Sequence, residues 1–386
     1  MSAAAPRRVL VVTGEASGDT HAAGLVREAR RLDPALEFEG MGGPSLRDEG
    51  VRILYDAADV SVVGITEVLE HIGPIWRRLR ELKQQLAAAR PDALLLVDFP
   101  DFNLRLATEA RKLGIPVVYF ISPSVWAWRT GRVHRIKRDV TRMLTLFPFE
   151  KEFYDRHGVP ATFVGHPVAD DIPHETSVTE ARRRLGLDRG APVFALLPGS
   201  RAGEIRRLLD PLLETARETL KSVPSAAFLI PIARTVDAAL LEGAAARSGL
   251  PVVALSNSFH EIAEASDAAV AASGTAVLEL AVRGVPAVVV YRTTWTTYAV
   301  GRLALKVPYI SLVNLLTGRA VLPELIQNDF TPEAAAKELV ALGLAGPRRN
   351  EALAGLAEVR AKLGEPGAYG RAARALIEVL DAKERR

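Results

Sequence analysis

The chain has 386 residues, 48% of them apolar, which is more than one hydrophobic core usually organises, so two domains are expected. Lysine and arginine total 49 against 46 aspartate and glutamate, and a net charge of +3 argues against a nucleic-acid-binding protein. The absence of cysteine excludes disulfides, thiolate nucleophiles and cysteine-ligated zinc.

Neither the N-terminal segment nor any apolar run predicts insertion into a membrane. The N-terminal segment MSAAAPRR is too short and too polar for a signal peptide. No apolar run approaches the roughly 20 residues that a membrane span needs. We therefore expect a cytoplasmic protein that is not integral to the membrane.

In chain order, the first 170 residues alternate apolar runs with segments of helical period. The runs are VLVVTG, ALLLVDF, PVVYFIS and RMLTLF, and the helical segments include HAAGLVREARRL and LRLATEARKLG. This alternation predicts parallel strands joined by crossover helices. The polar stretch HETSVTEARRRLGLDRGAP follows and is the expected domain junction.

The same rhythm starts again near residue 190, with VFALLPG, AAFLIPIA, VVALSN, AAVAASG and PAVVVY. The predicted fold class is therefore α/β, with two Rossmann-like, doubly wound domains at 1–188 and 189–367. Loops at the carboxyl ends of both sheets are expected to face a cleft between the domains, because open parallel sheets bind ligands there.

The corner LLPGSRAGE follows an apolar run and opens an amphipathic segment. Free amides at Gly199 and Ser200, at the positive end of a helix dipole, suit an anion, and Arg201 adds a planar fork for phosphate. A diphosphate site is predicted, although the corner matches neither a Walker loop nor a Gly-x-Gly-x-x-Gly motif. The alternative is that Ser200 caps the helix while Arg201 pairs with Glu204 at the surface.

A second corner, AASGTAVLEL, repeats this arrangement in the same half of the chain. Ser273, Gly274 and Thr275 follow an apolar strand and open a helix, in which Glu279 lies one turn beyond Thr275 on the same side. Hydroxyls and amides suit a phosphate here, and the carboxylate suits the two hydroxyls of a ribose. The pair of corners predicts nucleotide binding, and the alternative is a capped helix with a solvated Glu279.

The N-terminal half contributes the loop TGEASGDTH after its first strand. Gly18 and its small neighbours form a tight turn that is predicted to project Glu15, Ser17 and Asp19 toward the cleft. Two carboxylates make a poor cradle for a diphosphate, so the loop suits the hydroxyl groups of a sugar better.

Several longer segments are more specific than these corners: GEASGD, VDFPDFN, SPSVWAWR, FPFEKEFYD, FVGHPVAD, LLPGSR, SGTAVLEL and PYISLVNLLTG. Together they resemble the lipid A disaccharide synthase family, glycosyltransferases that couple two acylated glucosamines. The resemblance covers nearly the whole chain. It implies a GT-B type fold with UDP-sugar in the C-terminal domain and the acceptor toward the N-terminal one, completed by the last helix at 368–386.

The resemblance also implies a reaction. UDP-2,3-diacylglucosamine and 2,3-diacylglucosamine 1-phosphate (lipid X) would give a β-1,6-linked disaccharide 1-phosphate and UDP. Since the donor is α-linked and the product β-linked, a single displacement with inversion is implied, and the acceptor hydroxyl needs a base. Arg201 and the amides at 199–201 would stabilise the charge of the departing UDP.

The segment VDFPDFN offers two carboxylates for the role of base. Asp98 ends a buried strand and is the predicted base, whereas Asp101 and Asn103 are predicted to cap the following helix. Glu15 is the competing base. No Asp-x-Asp pair lies at a suitable phosphate site and the histidines lack ligand spacing, so we expect no metal and no other cofactor.

Two further segments contribute candidate residues through the resemblance. Asn314 in PYISLVNLLTG is predicted to reach the nucleotide side, although an Asn that turns the chain is nearly as good an interpretation. In SPSVWAWR, Ser124, Trp126 and Arg129 are predicted on the acceptor side, although aromatic residues at this spacing usually fill a core.

The segment VSVVGITEVLEHIGPIW carries an apolar stripe at helical spacing, and four basic residues follow it. The stripe consists of Val62, Ile65, Leu69, Ile72 and Trp76. Beside basic residues, it predicts peripheral association with anionic lipid at the inner membrane, where diacylated substrates reside. The alternative is an ordinary helix that faces the core.

Two other functions stay open from the sequence alone. A UDP-sugar 2-epimerase shares the two-domain plan but needs no acceptor, and a non-enzymatic UDP-sugar-binding protein at the membrane surface leaves Asp98 without a task. No nucleic-acid partner is expected. The resemblance allows a homodimer, but neither the oligomeric state nor acyl-chain selectivity can be derived from the residues.

Overall fold

The computed structural model describes residues 6–60, 68–170, 178–187, 190–233, 236–295, 298 and 307–385, and the side chains of 68–72 also lie outside this description. The chain divides into two compact units, Met1–Asp170 with Leu363–Arg386, and Asp171–Lys362. The sequence prediction set this division at residue 188. The difference arises because the helix at 178–184 packs in the second unit, where Arg182 donates a hydrogen bond to the carbonyl oxygen of Ala265 (3.0 Å).

Each unit is built on one fully parallel sheet, and the predicted α/β fold class is confirmed. In the first unit the strands are β1 (Arg8–Val12), β2 (Glu37–Gly42), β3 (Arg52–Asp56), β4 (Ala93–Val97), β5 (Val117–Phe120), β6 (Arg142–Thr145) and β7 (Ala161–Phe163). In the second they are β8 (Val193–Leu197), β9 (Ala227–Ile232), β10 (Val252–Ser256), β11 (Ala268–Ala272), β12 (Ala287–Tyr291) and β13 (Glu324–Ile326).

Helices connect these strands throughout the described residues. Those before the second sheet are α1 (Ala16–Leu32), α2 (Pro44–Asp48), α3 (Val68–Ala89), α4 (Pro100–Lys112), α5 (Arg132–Asp139), α6 (Pro148–Arg156) and α7 (Val178–Arg184). Those after it begins are α8 (Ala202–Ser222), α9 (Ala238–Ser248), α10 (Phe259–Ala265), α11 (Thr275–Val282), α12 (Leu312–Thr317), α13 (Pro332–Gly343), α14 (Pro347–Lys362) and α15 (Ala368–Glu384). No helix in the described ranges is both long enough and apolar enough to span a bilayer.

The central strands are apolar on both faces because helices cover both sides of the sheet. Every residue of β4, ALLLV, is buried. One face of the first sheet packs against α3 and α4, through residues such as Leu86 and Leu106. The last helix, α15, packs along α1, and a hydrogen bond joins Tyr369 Oη to His21 Nδ1 (2.9 Å). The C-terminal helix thus belongs to the first unit.

The strand order reverses once in each sheet. The orders are β3-β2-β1-β4-β5-β6-β7 and β10-β9-β8-β11-β12-β13, so the reversals lie between β1 and β4 and between β8 and β11. At such a point the connections leave to opposite sides and open a crevice at the carboxyl ends of the two strands. The loops that follow β1, β4, β8 and β11 are therefore the expected ligand-binding loops.

A buried carboxyl group organises the start of α6. Glu150 is 4% exposed, and its Oε2 accepts hydrogen bonds from the amides of Leu146 (3.1 Å) and Phe147 (3.2 Å). Its Oε1 accepts a third from Trp126 Nε1 (3.2 Å). Burial raises the pKa of Glu150 to about 7, although these three hydrogen bonds act in the opposite direction. Glu150 therefore ties the loop that carries Trp126 to the end of β6.

We expect Glu150→Gln to change the pH dependence of stability. Because burial raises the pKa from 4.5 to about 7, the folded chain holds this proton more tightly than the unfolded chain. The stabilisation is complete below the unfolded pKa and is lost as the pH rises through 7. The unfolding free energy of the wild type minus that of the variant should fall by about 3 kcal/mol between about pH 4 and pH 8, measured by urea titration.

Glu152→Gln is the matched control, because Glu152 is an exposed carboxylate on the same helix. A difference between the wild type and Glu150→Gln that stays constant across this pH range would contradict the assignment.

Candidate functional site

Asp98 follows the last residue of β4, at the reversal of the first sheet. Its amide still donates to the carbonyl oxygen of Phe120 (3.1 Å), as if the strand continued. Asp98 and Phe99 then both adopt left-handed backbone conformations, with φ of 48° and 49°. Each costs about 1–2 kcal/mol for a residue other than glycine, and such strain is typical of functional positions.

The carboxyl group of Asp98 is electrostatically unusual. Burial raises its pKa to about 6, the negative charge of Glu15 contributes further in the same direction, and a hydrogen bond from the Phe99 amide opposes both. Glu15 itself is exposed and precedes the first residue of α1. The structure thus brings the two candidate bases together, and a pKa near neutrality suits Asp98 to general-base catalysis at physiological pH.

The prediction that Asp101 and Asn103 cap α4 is wrong. Phe99 occupies the capping position and Pro100 the first turn, where its missing N–H costs nothing. Asp101 is exposed and pairs with Arg132 and, at 3.7 Å, with Arg129. Asn103 is fully buried, and its Nδ2 donates to the carbonyl oxygens of Asp98 (2.7 Å) and Val97 (3.2 Å).

The loop after β1 keeps only part of its predicted role. Ser17 is exposed, and Gly18 is buried where an added Cβ would come within 2.4 Å of the Thr13 hydroxyl. Asp19 does not project outward as predicted. It is 2% exposed, and its two oxygens accept hydrogen bonds from the amides of Gly43 (2.6 Å) and Ser45 (2.8 Å). Asp19 therefore holds the start of α2, and its burial keeps it from contact with a sugar.

The segment SPSVWAWR lies beyond the carboxyl end of β5. Ser124 is exposed. Trp126 is half-buried and packs edge-on against Phe149, with ring centroids 4.7 Å apart. Arg129 is exposed, has a left-handed φ of 53° and stacks on the ring of Trp128 at 4.3 Å. Ser124 and Arg129 are thus available to a ligand, whereas the indole N–H of Trp126 is already used by Glu150.

In the second unit, the corner after β8 holds an anionic side chain. Arg201 precedes the first residue of α8, and Glu204 Oε2 accepts from the amides of Ser200 (3.2 Å) and Arg201 (3.4 Å). The other oxygen of Glu204 pairs with Arg201 NH1 (3.0 Å). Gly199 has a φ of 103°, and an added Cβ would lie 2.3 Å from Glu204 Oε2, so glycine is required.

The structure tests only the alternative interpretation of this corner, and the diphosphate site stays a prediction. The Arg201–Glu204 pair is present, as the alternative expected, but Ser200 does not cap the helix because Arg201 occupies that position. The amides of Ser200 and Arg201 nevertheless bind an anionic group, the carboxylate of Glu204. Arg201 keeps 69% of its side-chain surface exposed. This corner therefore has the donors that a diphosphate needs.

The corner after β11 is open. Gly274 and Thr275 are exposed, and a Cβ added at Gly274 would meet nothing within 4 Å. Ser273 Oγ donates to the carbonyl oxygen of Ile310 (3.4 Å), and Glu279 is half-buried one turn into α11. The predicted hydroxyl, amide and carboxylate groups therefore lie along the first turns of one helix.

Asn314 does not reach the surface, contrary to the prediction that it faces the nucleotide. It is fully buried, its Nδ2 donates to Leu322 O and Glu324 Oε1 (both 2.8 Å), and its Oδ1 accepts from the Leu322 amide (2.9 Å). The interpretation of an Asn that turns the chain fits instead. Glu324 also accepts from the amides of Ile310 (2.9 Å) and Ser311 (3.0 Å), so this network holds the segment that contacts Ser273.

The stripe predicted to contact the membrane is only partly described. Val62 and Ile65 lie outside the described residues, and Leu69 and Ile72 lie in α3 with side chains outside the description. Trp76 is 49% exposed, and the guanidinium of Arg105 lies 4.7 Å from the centre of its ring. Among the described residues, no three His, Asp or Glu side chains are grouped to hold a metal ion.

Three residues at these sites were missed by the sequence interpretation. Tyr119 Oη donates to the Asp98 carbonyl oxygen (2.6 Å), while Glu150 and Glu324 organise neighbouring loops. Glu150 had a usable signal, since Pro148 marks a helix start and acidic residues are favoured in the first turn that follows. Tyr119 had none, because a tyrosine in an apolar strand is ordinary core composition.

Known proteins match the chain over nearly its whole length. The family described as lipid-A-disaccharide synthetase matches residues 9–376. The lipid-A-disaccharide synthase of Myxococcus xanthus (strain DK1622) is 50% identical over 375 residues, which cover 97% of this chain and 98% of that protein. The match spans both units and every strand end described above.

Two solved structures show the same fold at low identity. The glycotransferase of kitacinnamycin superposes with a TM-score of 0.62 at 18% identity, covering 97% of this chain and 99% of that one. The UDP-GlcNAc 2-epimerase of Neisseria meningitidis gives a TM-score of 0.56 at 13% identity, covering 97% and 100%. These likenesses establish the architecture alone, whereas the match over residues 9–376 and the 50% identity place the chain in the lipid-A-disaccharide synthase family.

Proposed function

We propose that the chain is an inverting glycosyltransferase that joins UDP-2,3-diacylglucosamine to lipid X, giving the β-1,6-linked lipid A disaccharide 1-phosphate and UDP. One observation carries the proposal beyond family membership. The loops at the reversal of the first sheet present carboxylates, and those at the reversal of the second present amides, hydroxyls and a guanidinium. The first set suits an acceptor alcohol and the second a nucleotide diphosphate.

Asp98 is the base in this mechanism. Its carboxylate takes the proton from the acceptor 6-hydroxyl as that oxygen attacks the anomeric carbon, and the bond from this carbon to the phosphate oxygen breaks. Glu15 raises the proton affinity of Asp98 by charge repulsion. The acceptor side is formed by Ser17, Gly18, Ser124, Trp126 and Arg129. Asp19 acts only through the loop that it holds.

UDP is the leaving group, and residues of the second unit stabilise its negative charge. The amides at 199–201 and the guanidinium of Arg201 bind the diphosphate, in exchange for the carboxylate of Glu204. Ser273, Gly274 and Thr275 contribute hydroxyl and amide donors, and Glu279 accepts from the ribose hydroxyls. Asn314 supports this side by holding the segment that contacts Ser273, without touching the nucleotide.

The substrates carry acyl chains, so we propose peripheral binding to the cytoplasmic face of the inner membrane. The described part of the surface concerned consists of Trp76 on α3 and Trp128 before α5, each stacked with arginine. Helix α4 packs against both α3 and α5. Exposed tryptophan beside arginine suits the interface of an anionic bilayer.

An epimerase is the main alternative enzyme. It would convert UDP-N-acetylglucosamine without an acceptor, and the 13% identity to a known epimerase extends to the fold alone. A non-enzymatic UDP-binding protein would form no product. The raised pKa of Asp98 argues against the non-enzymatic alternative, because a strained, half-buried carboxyl group is otherwise a cost to stability. Membership of the lipid-A-disaccharide synthase family argues against the epimerase.

The assay of Asp98→Asn tests the function and the base together. With UDP-diacylglucosamine and lipid X, we expect the wild type to release UDP and form the disaccharide. Mass spectrometry measures both products. Removal of a general base should lower the single-turnover rate about 100-fold or more at saturating substrate. Asp101→Asn, in the same segment but exposed, is the control. Full activity of Asp98→Asn would transfer the role to Glu15, and absence of product from the wild type would refute the function.

Replacement of Arg201 tests the diphosphate site. Because Arg201 pairs only locally with Glu204, Arg201→Ala should leave the fold intact while weakening UDP binding about 10-fold or more, measured by calorimetry. Arg217→Ala is the matched control, since Arg217 forms the same kind of surface pair with Glu214 (3.3 Å) on the same helix. Equal UDP affinity in both variants would place the diphosphate elsewhere.

Vesicle flotation tests the membrane surface. The double variant Trp76→Ala, Trp128→Ala should bind phosphatidylcholine vesicles containing phosphatidylglycerol more weakly than the wild type, because two interfacial anchors are lost. Trp295→Ala removes a more exposed tryptophan, at 60%, from the second unit and is the control. If the double variant floats as well as Trp295→Ala, these tryptophans do not contact lipid.

A further inference from the structure

The carbonyl group of Asp98 is held by two side chains that the reaction itself does not use. Tyr119 Oη donates to this oxygen at 2.6 Å, and Asn103 Nδ2 donates to it at 2.7 Å. Tyr119 comes from the neighbouring strand β5 and Asn103 from the first turn of α4. Both are fully buried. Two donors from different elements thus converge on one peptide group.

This peptide group is the one that needs support. Asp98 and Phe99 are left-handed in succession, so the backbone turns sharply where β4 ends. A residue other than glycine adopts such a conformation only when its surroundings hold it there. The Asp98 amide is fixed by Phe120, and its carbonyl oxygen is fixed by Tyr119 and Asn103. The direction of the Asp98 side chain follows from this fixed peptide.

An ordinary buried tyrosine would also find a hydrogen-bond partner, but two details favour a specific role. Tyr154, equally buried, pairs with a side chain, the hydroxyl of Ser122 (2.9 Å), and not with a strained peptide. Asn103 donates through Nδ2, while its buried Oδ1 has no hydrogen-bond partner among the residues that the structure describes. A buried acceptor without a hydrogen bond lowers stability. The orientation of the Asn103 side-chain amide is therefore explained by the hydrogen bond that its Nδ2 donates to the Asp98 carbonyl oxygen.

We propose that Tyr119 and Asn103 are positioning residues, which hold the Asp98 peptide so that its carboxylate is presented beside Glu15. The inference rests on the proposed function, because it requires Asp98 to be the base. Tyr119 takes no part in proton transfer. Burial raises the pKa of Tyr119 well above 10, so its hydroxyl stays a donor throughout the working range of pH.

The test is Tyr119→Phe, which removes one donor and keeps the ring. Without it, the peptide relaxes and the Asp98 carboxyl group gains solvent. We expect kcat to fall about fivefold to tenfold, with the KM of both substrates unchanged. The acid limb of the kcat/KM profile should move from about pH 6 toward lower pH, because Asp98 is then less buried. Tyr154→Phe, which removes a buried hydroxyl from α6, is the control for general loss of packing and should leave this limb unchanged.

A double-mutant cycle with Asp98→Asn separates this inference from the proposed function. If Tyr119 acts through Asp98, Tyr119→Phe should cause no further loss of single-turnover rate in the Asp98→Asn background. Equal losses in both backgrounds would overturn the inference, as would a Tyr119→Phe variant whose rate and acid limb match those of the wild type. In either case, an impaired Asp98→Asn variant would still support the function. An unimpaired Asp98→Asn would instead overturn the assignment of the base.

Discussion

The reversal of strand order in each parallel sheet is the constraint on which the candidate site depends. Between β1 and β4, and again between β8 and β11, neighbouring strands send their chains to opposite sides of the sheet. The main-chain groups at these strand ends are therefore not covered by the chain segments that follow. In the first unit this leaves room for the strained turn at Asp98 and the start of α1, and in the second it exposes helix starts to an anion. The chemistry differs because the residues at the same topological position differ.

Environment, not residue type, separates the carboxylates of the first unit. Asp98, Glu15 and Asp19 all lie near the same edge, yet Asp19 has two backbone amides as partners and Glu15 is exposed. Only Asp98 combines burial with a like charge nearby, and both raise its pKa. A carboxylate whose pKa lies near neutrality suits a general base, and burial beside a like charge gives Asp98 such a pKa.

The sequence predicts the sheets and the corners from strand to helix well because both depend on local patterns. Apolar runs followed by glycine and hydroxyl residues mark Gly199 and Gly274 without knowledge of the fold. Asp19 and Asn314 were misjudged, and Tyr119 and the bond from Trp126 to Glu150 were missed, because these pairings are decided by packing. Asp19 binds amides 24 and 26 residues away, Trp126 lies 24 residues from Glu150, and Tyr119 is 21 residues from Asp98. Side-chain pattern identifies a strand end, but only the fold determines which polar group is already paired.

Glu150 and Glu204 show how one local motif serves two purposes. Each lies in the first turn of a helix and accepts hydrogen bonds from the two backbone amides just before the first residue of that helix. Glu150 is buried and also binds Trp126, so its departure would leave three donors unpaired. Glu204 keeps 26% of its side-chain surface exposed, so water or another anion can replace it at little cost. In the proposed mechanism, Glu204 holds the corner at 199–201 in place until the diphosphate of the substrate displaces this carboxylate.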